Sequence, residues 1–219
     1  MTAPVGRPPL GVFPQPDVVP YIARWSSENR PSGVVVVKGL GIAYADEGAY
    51  ERDDLGVLWK RIGWSPGKGR PEFGQVHFLR QRRAMRKRLC QVCGGPSDRT
   101  SEGTLWLVGE DPDGPELWKP GYVTTHPPLC VPCAVTSVGA CPHLRKRYVA
   151  LRVRAFAPAG VHGVLYRPGG LFPVAYGADG VTFESPHIGW VLASQLIMEL
   201  QEFTVVDLEA EHAAYLRRT

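Results

Sequence analysis

The chain has 219 residues, 44% of them hydrophobic, enough to bury one large core or two small ones and too apolar for a disordered chain. A net charge of +4 with a pI near 8.9 is too mild to argue for a polyanionic partner by itself, so the placement of charge matters more than its sum. No apolar run approaches the roughly 20 residues of a membrane span, and MTAPVGRPPLGVF lacks the charged and apolar regions of a secretory signal. These absences predict a soluble cytoplasmic protein without membrane contact.

Residues 1–20 carry six prolines and read as an extended arm. The segment 21–74 is expected to be mixed β and α. VVVVKG (Val34 to Gly39) predicts a buried strand, and DDLGVLWKRIGW (Asp53 to Trp64) a short helix. GLG at 39–41 lacks the third glycine of a dinucleotide loop, and SPGKGRP lacks the spacing of a Walker loop, so nucleotide binding is not expected at either.

QVHFLRQRRAMRKRL (Gln75 to Leu89) predicts a helix, with Phe78, Met85 and Leu89 near one line at 3.6 residues per turn. Arg80, Arg82, Arg83, Arg86, Lys87 and Arg88 place six cations in nine residues, the densest charge run in the chain. Farther on, Thr104 to Val108 and Tyr122 to Thr125 predict two strands around a DPDGP turn, and a short helix follows Cys133. This central segment is bounded at 75–146.

The segment 147–219 opens with RYVALRVRAF, whose strict alternation predicts a half-buried strand. GVHGVLYRP, LFPVAYG and VTFE suggest further strands. Ser185 and Pro186 are suited to the N-cap and first turn of an apolar helix over 186–203, a candidate face for a protein partner. A short polar helix ends the chain. The three segments, with soft boundaries, are compatible with one domain holding an inserted metal module. His162 and His187 stand alone, without a nucleophile or acid at readable spacing.

Two CxxC pairs, Cys90/Cys93 and Cys130/Cys133, carry the clearest chemistry. A CxxC turn sets two thiolates on one side of a tight knuckle, and two knuckles make a tetrahedral sulfur site suited to structural Zn²⁺. A fifth cysteine, Cys141, makes a disulfide framework a poor reading, and a redox pair would leave the second CxxC unexplained; an iron–sulfur cluster stays open. Cys141 and His143 are reserve ligands, and Cys141 is otherwise expected in the core. A knuckle, a hairpin and a helix carrying the second CxxC resemble a treble-clef zinc finger over about Leu89 to Arg145. With the elements read along the rest of the chain, the expected fold is α+β and β-rich, with a central treble-clef-like zinc module. Treble clefs include the HNH nucleases, for which His126 is the weak catalytic candidate. No aspartate precedes it, and Ala134 rather than Asn or His follows the second CxxC.

A basic helix anchored by a zinc knuckle is rigidly placed. With Arg99, Arg145, Lys146 and Arg147 it predicts one positive face for nucleic-acid phosphate. The alternatives are a zinc-stabilised protein-interaction adaptor and a divergent HNH-like nuclease. The bland alternative for the helix is a solvated face balanced by acids such as Asp53 and Asp54.

Overall fold

Two long strands run side by side and carry the architecture. The computed structural model describes residues 18–30, 33–109, 120–144, 148–170 and 172–218. In chain order the elements are β1 (Ala23–Trp25), β2 (Val35–Lys38), β3 (Gly41–Tyr44), β4 (Leu58–Trp59), β5 (Pro71–Val76), α1 (Phe78–Lys87), β6 (Arg99–Thr100), β7 (Gly103–Gly109), β8 (Tyr122–Thr124), α2 (Val131–Ala140), β9 (Tyr148–Arg167), β10 (Val174–Thr182), β11 (Val191–Val206) and α3 (Leu208–Leu216). Residues 1–17 of the Pro-rich arm, the DPDGP turn and Arg145, Lys146 and Arg147 lie outside the described residues.

β9 and β11 pair antiparallel from Leu165↔Val191 to Ala150↔Val206, with bulges that bend the ribbon. On the free side of β9, β7 pairs with its first part and β10 with its last. On the free side of β11, β4 pairs in parallel at Leu192 and Ala193, and β8 antiparallel at Met198 to Leu200. β6 edges β7; β1 with β5 and β2 with β3 form separate two-stranded sheets.

The sheet is buried on both faces around β7, which explains that strand's continuous apolar run, while β10 is mostly exposed. Along β7, Trp106 and Val108 join one cluster with Leu151, Val153, Leu196, Met198 and Met85 of α1. The alternate residues Leu105 and Leu107 join a second cluster with Cys90, Leu129, Val131, Ala134 and Leu208. The cysteine-bearing segment and α3 therefore cover one face, while Met85 brings α1 into the core of the other. The β2–β3 hairpin makes a smaller core of Ile42 and Tyr44 against Leu58 and Leu192.

An α+β, β-rich fold with the cysteine cluster beside the sheet agrees with the reading of the sequence; several elements do not. The expected apolar helix over 186–203 is a 3₁₀ turn, Ile188–Trp190, followed by strand β11. Leu, Gln, Met and Glu favour helix locally, but β11 finds strand partners on both edges, and pairing overrides propensity. Leu196, Met198 and Leu200 are core residues, so no helical partner face exists there. Asp53 to Trp64 forms no helix either. The Asp53 carboxylate accepts the N–H groups of Leu55 and Val57, both at 3.1 Å, and Gly56 turns the chain at φ 76° into β4. The basic helix forms, shortened to Phe78–Lys87, while Gln75 and Val76 belong to β5. Among the described residues β7 and β8 do not pair as the expected hairpin: β7 pairs with β6 and β9, and β8 with β11.

Candidate metal centre and basic face

The first knuckle is folded by its own backbone. The Cys90 N–H donates to the Gly95 carbonyl at 2.7 Å, and the Gly94 N–H to the Cys90 carbonyl at 2.9 Å. Gly94 takes φ 72°, and a Cβ there would lie 2.8 Å from the Tyr21 ring, so both conformation and packing require glycine. Two neighbours bracket the knuckle. The Tyr21 N–H donates to the Val92 carbonyl at 2.8 Å from one side. From the other, Pro128 accepts the Gln91 N–H at 3.0 Å and Leu129 accepts the Asp98 N–H at 2.9 Å. Buried Pro127, Pro128 and Leu129 lead into Cys130, which caps α2, with Pro132 in its first turn. Cys133 lies one turn into that helix.

The four sulfurs of Cys90, Cys93, Cys130 and Cys133 lie within 4.8 Å of one another. Cys130 Sγ is 3.7 Å from Cys90 Sγ and 3.9 Å from Cys93 Sγ. A tetrahedron with Zn–S of about 2.3 Å has edges of about 3.8 Å, so the residues fit a closed zinc site. All described cysteines are free thiols. Cys141 and His143 stand outside the cluster: Cys141 is half-buried rather than a core residue, and His143 is exposed.

The hydrogen bond from Cys130, with help from the backbone amides of Cys93, Cys130 and Val92, brings the Cys90 thiol down to about 5. That same bond, with burial, pushes Cys130 up, while burial carries Cys133 to about 12. A divalent cation at the centre of the cluster would allow all four to be thiolates together.

The helix leading into the knuckle has two faces. Arg83, Arg86, Lys87 and Arg88 are exposed. Arg82 is half-buried with its guanidinium 4.3 Å from the Trp59 ring centre. Arg80 is not on this face. It is 2% exposed and forks onto Glu28 at 2.6 and 2.7 Å, with a further bond to the Ala23 carbonyl at 2.6 Å. Among the described residues, Arg86 approaches Asp53 at 3.6 Å.

Phe78 and Met85 of the buried face were legible as an apolar line, but Arg80 and Gln81, which fall beside Ala84 and Met85 on a helical wheel, were not read as buried. His77 caps α1, accepting the Arg80 N–H on Nδ1 at 3.3 Å while Nε2 donates to the Gly63 carbonyl at 2.9 Å. Burial holds its imidazole below the ordinary 6.5. Gln81 fills the gap along β11 between β4 and β8. Its amide oxygen accepts the Leu196 N–H at 3.0 Å, and its NH₂ donates to the carbonyls of Leu196 at 2.9 Å and Thr125 at 2.7 Å. One glutamine side chain thus does the work of a strand neighbour.

His126 has an exposed side chain; its carbonyl accepts the Trp106 indole N–H at 2.9 Å, so its backbone rather than its ring serves the core. His187 is exposed, and His162 lies in β9. No described helix is long and apolar enough to cross a membrane. The chain matches no protein-family model, no curated protein and no solved structure.

Proposed function

We propose that this is a zinc-stabilised nucleic-acid-binding protein, in which the four thiolates hold a structural Zn²⁺ and the exposed face of α1 binds phosphate. The observation that carries the reading is the junction itself. Arg83, Arg86, Lys87 and Arg88 stand exposed on the last turns of a helix whose next residues are the first knuckle. A metal-closed knuckle fixes where those charges point, which lowers the entropy lost on binding. In this reading the knuckle, the short β6–β7 hairpin and α2 form the treble-clef-like module. Zinc supplies cross-linking here; the binding chemistry belongs to the arginines and the lysine.

The test is fluorescence anisotropy of zinc-loaded protein with DNA and RNA probes at two salt concentrations. Affinity should fall steeply with salt, and reversing Arg83 and Lys87 to Glu should reduce the log–log slope by about one per lost phosphate contact. Arg80 is unsuitable for this purpose, because changing it tests the fold. Absence of binding at low salt would return the face to a protein partner with an acidic surface.

A further inference from the structure

A groove of about 510 Å³ opens beside the C-terminal end of α1, with Met85, Phe156 and Met198 among its lining and Arg86, Arg88 and Arg154 around it. That volume lies within the range of small-ligand sites. The Phe156 ring is half-buried, held edge-on by Trp106 with ring centres 4.8 Å apart, so its position is fixed by the core. The polar rim is weakly committed. Arg154 is paired with exposed Glu102 at 2.6 Å and Glu202 at 3.5 Å, and such exposed pairs yield readily to a competing anion. Arg88 is exposed and makes no ion pair among the described residues.

The backbone at Arg88 is a second, separate observation. It has φ 53° and ψ 50°, the left-handed conformation at which helices commonly end on glycine. It is the one non-glycine residue with positive φ among the described residues. Its N–H bonds the Ala84 and Met85 carbonyls, and its carbonyl accepts from the Ser97 hydroxyl at 2.8 Å and the Ser97 N–H at 3.2 Å. The surrounding bonds hold a side chain where glycine would be easier, and that side chain lines the groove.

We propose that this groove takes an unpaired nucleotide of a bound strand, with its base against Phe156 and its phosphate between Arg86 and Arg88. An aromatic wall with guanidinium groups beside it suits a flat ring attached to an anion, and stacking on aromatic side chains is the sequence-tolerant mode of single-strand binding. Stacked bases in a duplex cannot present a face to Phe156. The inference rests on the nucleic-acid reading above and deepens it.

Two variants of the zinc-loaded full chain decide it, Phe156→Leu and Arg88→Gly, measured against a single-stranded oligothymidine and a duplex of equal length. Thermal melting of each variant is recorded alongside. Arg88→Gly relieves the left-handed strain, so its Tm should hold or rise. Both variants should weaken single-strand binding at least about fivefold. Phe156→Leu should leave duplex affinity within about twofold, since it removes stacking and no charge. Unchanged single-strand affinity in a folded Phe156→Leu protein, or equal losses on both probes, overturns the groove while leaving the basic face in place. If the parent protein binds neither probe, the nucleic-acid reading falls and the groove with it.

Discussion

The Glu28 carboxylate is buried among donors. Burial alone would raise it, but the Arg80 guanidinium and the N–H groups of Trp25 and Ser65 outweigh that and hold it at about 2, against an ordinary 4.5. A carboxyl lowered on folding contributes stability that is complete above about 4.5 and is lost as pH falls toward about 2; here the contribution is about 3 kcal/mol. His77 adds to the same slope. Its imidazole is held below 6.5, so the folded state disfavours its proton, and this loss begins as pH drops through that value. Urea denaturation across pH 7 to 3 should therefore show falling stability. Glu28→Gln should cost about 3–5 kcal/mol at pH 7, because it leaves Arg80 charged and buried. A loss below about 1 kcal/mol would mean that water replaces the carboxylate there. Gln81→Leu makes a different demand. It strands two backbone groups of Leu196 and should cost about 2–4 kcal/mol. An unchanged denaturation midpoint would show that β11 closes the gap itself.

Among elements, legibility depended on how far pairing agreed with local preference. The alternation in RYVALRVRAF announces a strand, and β9 begins there. Its polar positions were less transparent. Arg152 looks solvent-facing in sequence but is fully buried between Asp98, at 2.7 Å, and Glu211 of α3. An acid from the C-terminal helix supplies that burial, and no local pattern reveals it. β11 was misread because its residues are good helix formers and the partners that make it a strand are scattered over β4, β8 and β9. The cysteine cluster was the most legible feature, since CxxC spacing is a local rule. Glu211→Ala should lower stability by about 1–3 kcal/mol, because it removes one of the two carboxylates that pair with a buried guanidinium. Glu102→Ala, at the exposed pair with Arg154, should barely move Tm. Equal effects in thermal melts would mean that α3 is not anchored through Arg152.

At the scale of the molecule, metal and fold are expected to be linked. Native protein should carry one Zn²⁺ per chain by elemental analysis. Chelation should lower Tm and raise hydrogen exchange first in 88–98 and 129–141, around the two knuckles. Acid should release the metal, because protons compete for the thiolates. Cys90→Ser, at a buried ligand, should damage folding more than Cys93→Ser at an exposed one. A full melting temperature in metal-free protein would limit zinc to a passenger. The order of the strands along the chain has a further consequence for synthesis. Cys133 completes the cysteine cluster well before the ribosome reaches β11, yet β4, β8 and β9 all await that strand as partner. With zinc bound, a nascent chain would have a cross-linked middle while β4 and β8 lack their partner, and the slowest folding step should be the arrival of β11. Zinc bound early would keep the waiting half of the sheet in order, making metal supply during translation a determinant of yield.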